Sequence, residues 1–266
     1  METIGIDAGG TLIKVVYKEK GQMHYKKFAE TEGQAMINWL SMVKPNAHFV
    51  LTGGNAESLS SQFTHASVIT EFEAVCTGAK HLLKEQQPSL TFPIVLVNIG
   101  TGTSIFLLDE SEHQRINGTG IGGGTFIGLG GLLSGTYDYH QLVELARKGT
   151  RNQVDLLVKD IYKGDAPPVL GDLTAANFAK GTIEDSKPAD RIRALVNMIA
   201  ETIILLSSTV VSQYSASTIA FVGGALYMND VLKKDLQQFE SMLHYEALFL
   251  DHGLYTGAMG AYLLGE

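Results

Sequence analysis

Within its first sixteen residues the chain sets out an acid, two glycines, a hydroxyl and an amine whose types and spacing suit phosphate chemistry: Asp7, Gly9, Gly10, Thr11 and Lys14. An apolar strand, Ile4-Gly5-Ile6, runs into Asp7-Ala8-Gly9-Gly10-Thr11 and out again through Leu12-Ile13-Lys14-Val15-Val16. Adjacent glycines take up backbone angles that other residues resist, and they bring bare N–H groups close to whatever lies above the turn, which suits an anion. Asp7, at the strand end, can hold a hydrated magnesium ion, while the Thr11 hydroxyl and the Lys14 ammonium can donate to phosphate oxygens. The same residues equally suit an ordinary β-hairpin closed by a Gly-Gly turn.

The elements that must position these groups need a sizeable framework. At 266 residues the chain can bury a substantial core, and it suits one large domain or, as preferred here, two lobes around a cleft. A net charge of −8, a pI near 5.5 and no block of basic residues argue against a nucleic-acid backbone as the main partner. Residues Met1-Glu2-Thr3 enter a strand with no charged leader, and no stretch reaches the roughly 18 uninterrupted apolar residues of a membrane span. A cytoplasmic protein with no membrane partner is therefore expected. Cys76 is the only cysteine, which excludes an intrachain disulfide and reads as a small buried side chain.

Apolar spacing predicts a helix over residues 34–43, strands over 49–52 and 67–70 that stop at Gly53-Gly54-Asn55 and at Glu71, and a helix after each, the second over about 72–87. Pro88 and Pro93 then interrupt regular structure and mark the lobe boundary, giving residues 1–92 and 93–266. Just beyond it, residues 94–108 repeat the opening design: an apolar strand, Asn98, the turn Gly100-Thr101-Gly102-Thr103, and a second apolar strand. This reads as an internal duplication or as two similar hairpins. A third glycine segment, 118–125, leads into a helix over 126–133. Gly118, Gly120 and Gly123 match the dinucleotide-binding spacing, but residues 112–117 are too polar for the buried parallel strand that motif requires. Gly123 and Gly124 instead let the helix start approach a nucleotide, or form a flexible turn. Residues 137–178 read as helical pieces of an insert, broken at Gly149-Thr150-Arg151 and Pro167-Pro168, and 192–214 as a long buried helix. A strand over 218–222 ends at Gly223-Gly224-Ala225, a helix follows over 230–243, and the small residues of 253–262 suit a closely packed helix.

Three glycine segments in this order resemble the superfamily of acetate and sugar kinases, heat-shock chaperone ATPases and actin. That resemblance implies an α/β fold of two ribonuclease H-like lobes around an ATP cleft, with Val222-Gly223-Gly224-Ala225 as the adenosine segment. Over nearly the whole chain the resemblance sharpens to the bacterial type II pantothenate kinases. It rests on Gly5-Ile6-Asp7-Ala8-Gly9-Gly10-Thr11-Leu12-Ile13-Lys14, Leu51-Thr52-Gly53-Gly54-Asn55-Ala56, Asn98-Ile99-Gly100-Thr101-Gly102-Thr103-Ser104 and Gly171-Asp172-Leu173-Thr174-Ala175-Ala176-Asn177-Phe178. It implies ATP-dependent phosphorylation of pantothenate, the entry step to coenzyme A, by a homodimer using Mg²⁺. Carried over by position, the residues from Asp7 through Ala8, Gly9, Gly10, Thr11, Leu12 and Ile13 to Lys14, together with Thr101, touch ATP. Gly123, Gly124, Thr125, Phe126, Ile127 and Tyr139 line its pocket, Gly224 stands in the adenosine segment, Asp7 serves the metal, Glu71 is the base, and Arg115 meets the substrate and the transferring phosphoryl group. The family carries a serine where this chain has Gly224, which removes a side-chain contact to the nucleotide and leaves a backbone N–H. Two alternatives stand beside this reading: a sugar or amino-sugar kinase of the same fold, and a non-catalytic nucleotide switch, for which the chain has no room for a separate client domain.

Overall fold

The computed structural model describes residues 2–162, 170–181 and 185–266. The chain opens with β1 (Thr3–Ala8), β2 (Leu12–Glu19), β3 (Gln22–Ala29), α1 (Gly33–Val43), β4 (His48–Thr52), α2 (Ala56–Ser60), β5 (Ala66–Val68) and α3 (Glu71–Gln86). It continues through β6 (Ile94–Ile99), β7 (Thr103–Leu108), β8 (His113–Thr119), α4 (Gly123–Ser134) and α5 (Tyr139–Lys148). The insert adds β9 (Leu156–Leu157), α6 (Val158–Ile161) and β10 (Thr174–Ala176); the expected Pro167-Pro168 break lies outside the described residues. Then come α7 (Pro188–Tyr214), β11 (Thr218–Val222), α8 (Asp230–Gln237), α9 (Glu240–Leu243), β12 (Glu246–Phe249) and α10 (Thr256–Gly265).

Two five-stranded sheets share one topology. The first has the order β3-β2-β1-β4-β5 and the second, read from its far edge, β8-β7-β6-β11-β12. In each, three antiparallel strands are followed by two parallel ones reached through helical connections. The two hairpins of the sequence are therefore a duplication of the whole lobe, as an actin-like fold of two ribonuclease H-like lobes requires.

The layers follow from period-2 alternation on strands buried on both faces. On the first sheet Ile4, Ile6, Val15 and Leu51 meet Met36 and Leu40 of α1. On the second, Val95, Val97, Ile105 and Phe221 meet Ile199 and Ile203 of α7. The opposite faces, with Val16 from the first sheet and Leu96, Phe106 and Val222 from the second, enclose α3 and α10 between the sheets. These two helices touch through glycines: a Cβ on Gly78 would lie 2.0 Å from the Thr256 carbonyl oxygen, and one on Gly260 1.8 Å from that of Ala74. The last helix thus leaves the second sheet for the first, where the Thr3 hydroxyl donates to Gly265 O at 3.1 Å. Residues 93–266, one lobe in the sequence reading, send their final helix to the other. At the end of α3, Gln86 binds the Asp251 backbone from both sides, accepting at 2.9 Å and donating at 3.0 Å.

The differences from expectation have local causes. β3, rich in polar residues without clear alternation, and β12, only four residues long, are sheet edges, and backbone pairing holds them. α4 starts at Gly123 because the glycines close onto the second turn. The helix expected over 230–243 breaks at Gln238-Phe239, where Phe239 turns into the core. α7 is long and apolar enough to cross a membrane by composition alone, but 67% of its most apolar stretch is buried inside the protein. The polar run before Gly118 is the antiparallel edge strand β8, so the dinucleotide-binding reading fails on topology as well as on polarity.

Candidate active site

A cleft of about 700 Å³ opens between the sheets, lined by the β1–β2 turn, the β6–β7 turn, the start of α3, β8, the start of α4 and the segment after β11. It lies outside the carboxyl ends of β1, β4, β6 and β11, where open α/β sheets place ligands. Asp7 and Lys14 face each other across β1 and β2 in register, with Lys14 Nζ 3.1 Å from Asp7 Oδ2. The left-handed Gly53 (φ +95) leans on the same carboxylate, where any Cβ would sit 2.8 Å from Oδ1. At the far side, left-handed Gly223 (φ +107) approaches Asn98 in the same way, its would-be Cβ 2.7 Å from Oδ1. These two positions demand glycine for both backbone angle and space.

The expected residues divide by their side chains. Asp7, Gly9, Gly10, Thr11, Leu12, Lys14, Glu71, Thr101, Arg115, Gly123, Gly124, Ile127, Tyr139 and Gly224 line the cleft. Ala8 and Ile13 are buried, Ile13 in the core against α1, and neither side chain reaches the opening. Phe126 is buried beneath Tyr139, ring edge to ring face at 5.6 Å, while Thr125 turns its hydroxyl back to Gly120 O and Gly122 N. The N–H groups of Gly123 and Gly124 donate to the carbonyls of Gly100 (2.9 Å) and Thr101 (2.8 Å). They therefore brace the second turn and are not free for an anion, although the sequence placed them against the nucleotide. The Tyr139 hydroxyl is shared between the carbonyls of Ala225 (2.8 Å) and Tyr227 (3.2 Å), and burial pushes its pKa up to about 12. It fixes the segment containing Gly224.

Glu71 is the first residue of α3, with Thr70 as the cap accepting from Glu73 N at 3.4 Å. Its carboxyl group looks into the cleft, where the surrounding protein first, and the Asp7 charge second, push its pKa above the usual range; Lys14 opposes them. Glu71 and Glu73 both keep solvent-exposed surface, but only Glu71 lines the cleft. Beside Glu71 the wall consists of Phe72 and Val75, with Arg115 over the Phe72 ring. Sequence reasoning left out Phe72, Ser104 and Thr256 as site residues. Asn98 and Ser104 carried a signal, since they stand in the repeat where Asp7 and Lys14 stand in the first copy; Thr256 carried none, because it arrives from the far end of the chain.

Asp7 suits magnesium in one particular form. Among the described residues no three His, Cys, Asp or Glu side chains gather around a common point. Two carboxylates, Asp7 and Glu71, face the cleft, too few for a cation held by protein alone, and Asp7 at the first turn fits Mg²⁺ that keeps its waters and takes its other ligands from phosphates.

Fold and site together define a two-lobed protein of the actin-like ATPase class, with a polyphosphate-sized cleft between duplicated glycine turns. The Fumble family profile matches residues 63–264. A type II pantothenate kinase of Oceanobacillus iheyensis is 41% identical over 264 residues, covering 99% of both chains. The chain belongs to the type II pantothenate kinase family. Its fold is also that of component A of the (R)-2-hydroxyglutaryl-CoA dehydratase of Acidaminococcus fermentans (TM-score 0.67, 18% identity, 99% of this chain and 97% of that one). A glucokinase of the ROK family from Streptomyces griseus, solved with glucose and AMPPNP, shares it too (TM-score 0.57, 15% identity, 99% of both chains).

Proposed function

We propose that this protein transfers the γ-phosphoryl group of ATP to the terminal hydroxyl of pantothenate, working as a cytoplasmic homodimer with Mg²⁺. The observation that carries the reading is the placement of Glu71, which opens into the same cleft as Asp7 and Lys14 of the first glycine turn. The lobes, residues 1–92 and 93–266 with α10 seated on the first, enclose the nucleotide. The turns at Gly9-Gly10 and Gly100-Gly102 cradle its phosphates, and the segment at Gly224 meets the adenosine. Lys14 and Arg115 neutralise charge on the transferring group, and Asp7 would hold a hydrated Mg²⁺, which supplies further neutralisation when bound. Glu71 accepts the hydroxyl proton as the new O–P bond forms and the bond to ADP breaks; its raised pKa makes it a better base near neutrality.

The acceptor wall favours pantothenate over a sugar. Phe72 and Val75 present apolar surface beside Glu71 with one guanidinium above, which suits a branched apolar chain carrying few polar groups. A sugar ring asks for several polar partners at once. ATP consumption measured with pantothenate, N-acetylglucosamine, glucose and no acceptor tests this: pantothenate alone should stimulate turnover, and turnover with an amino sugar but not with pantothenate would refute it.

A further inference from the structure

We propose that Phe72 is a positioning residue for Arg115, its ring serving as the platform that aims the guanidinium at the reacting groups. The proposal rests on the reading above of Arg115 as a contact of the acceptor and the transferring phosphoryl group.

Arg115 reaches the cleft through an irregularity in the sheet. Asn117 on β8 pairs with Ile105 on β7, so an unbroken ladder would set Ile116 opposite Phe106 and Arg115 opposite Leu107, on the face turned toward α7. Instead the register shifts and Arg115 pairs with Phe106, whose side chain points into the layer containing α3. The bulge turns Arg115 from the outer face to the cleft face, a use to which bulges beside functional sites are commonly put. Once there, the guanidinium is held without being neutralised. Among the described residues it has no hydrogen bond to a carbonyl and no ion pair, whereas Arg147, Arg151 and Arg193 are each held by such oxygens. Its supports are the Phe72 ring, with the guanidinium carbon 5.1 Å from the centroid, and the bare Cα of Gly118, where a Cβ would lie 2.6 Å from Nη2.

Phe72 is itself oriented. Its ring meets the buried Phe106 at a 67° tilt, 5.5 Å between centroids, which fixes the face it offers to Arg115. It nonetheless remains 44% exposed at the mouth of a polar cleft, beside Glu71, where a polar residue would be cheaper to hydrate. An aromatic face explains both facts: it attracts the cation while leaving all five guanidinium N–H groups for anionic oxygens.

The test compares Phe72→Leu, Phe72→Tyr and Phe72→Trp in the full-length protein, alone and combined with Arg115→Ala. Phe72→Leu keeps apolar bulk but loses the π face. It should lower kcat/KM for pantothenate by about 2- to 30-fold, the range of a cation–π contact, while KM for ATP stays within about twofold. Phe72→Tyr and Phe72→Trp should retain activity, and the Phe72→Leu loss should vanish in the Arg115→Ala background. Wild-type kinetics in Phe72→Leu with an impaired Arg115→Ala would overturn the proposal and leave the functional reading intact, as would a Phe72→Leu loss that persists undiminished without Arg115. Wild-type kinetics in Arg115→Ala would remove Arg115 from the site and the proposal with it. Thermal melting of each variant separates these outcomes from a folding defect, which an exposed ring should hardly cause.

Discussion

At the end of β1 stands Asp7, in register with Lys14 on β2; at the matching end of β6 stands Asn98, in register with Ser104 on β7. α3 follows the last strand of the first sheet and begins at Glu71, while α10 follows the last strand of the second and begins at Thr256, and both starts line the cleft. At three corresponding positions the first lobe carries a charge and the second a neutral polar group. The backbone, by contrast, is repeated closely, down to a left-handed glycine against each strand-end side chain. Both turns are also braced by neighbouring backbone: Gly123 and Gly124 donate to Gly100 and Thr101 of the second, and Asn55 and Glu30 donate to the carbonyls of Ala8 and Thr11 in the first, at 3.0 Å each. The comparison teaches a division of labour. Duplicated backbone builds a symmetric cradle, and side-chain divergence places Glu71, Asp7 and Lys14 on one side of it, with Arg115 as the second lobe's charged contribution.

The largest expected effect falls on the position where the lobes differ most in chemistry. Glu71→Gln, which makes the α3 start as neutral as that of α10, should lower kcat by ~10²–10⁴ while ATP binding persists. Glu73→Gln, one helical step off the cleft, should change little. In the unaltered protein kcat/KM should fall on the acid side through a pKa above the ordinary glutamate value of about 4.3, because Glu71 acts as a base only when deprotonated and both burial and Asp7 resist that. Steady-state kinetics against pH would show this limb, and its survival in Glu71→Gln would assign it to another group.

Next in size is an exchange between the turns. Asp7→Asn gives the first turn the residue of the second, and a neutral amide binds a hard divalent cation weakly, so activity at limiting Mg²⁺ should fall by about 10- to 100-fold. The same change removes a negative neighbour from Glu71, so the acid limb should move to lower pH. An unchanged magnesium dependence would reduce Asp7 to a turn residue. The reverse exchange, Asn98→Asp, should raise KM for ATP by about tenfold, roughly 1.4 kcal/mol, through repulsion of the phosphates.

The last effect, on stability and not on turnover, concerns what the lobes share. Gly260→Ala places a methyl group against the Ala74 carbonyl and forces α10 away from α3, which should cost about 1–3 kcal/mol of stability. A melting temperature unchanged from that of the parent chain would show that the two helices part freely.

How much of this was legible in the sequence depended on whether the cause was local. β11 was read at Thr218–Val222 from a buried apolar run bounded by glycines, and β4, α1 and α3 to within a residue or so, because burial patterns and caps are written along the chain. The edge strands β3, β8 and β12 were not, since their residues are chosen by what lies across the sheet, although the edge strand β5 was. Both glycine turns were visible as motif, whereas Glu71 as the candidate base rested on the family resemblance and not on the strand-to-helix junction itself.

The residues alone show two glycine turns, each closing the end of an apolar strand, because backbone angles and strand periodicity are properties of a few neighbouring residues; that the whole lobe is duplicated emerged only from the sheet topology. The sequence could not rank Glu71 against Glu73, see that Ile13 and Phe126 point away from the cleft, or know that Gly123 and Gly124 spend their N–H groups on Gly100 and Thr101. Those are decided only when the second turn, the start of α4 and the central helices meet. Tertiary structure likewise chose the face of Arg115, since a one-residue bulge in β8 moves a side chain from one side of a sheet to the other without any mark in the local sequence.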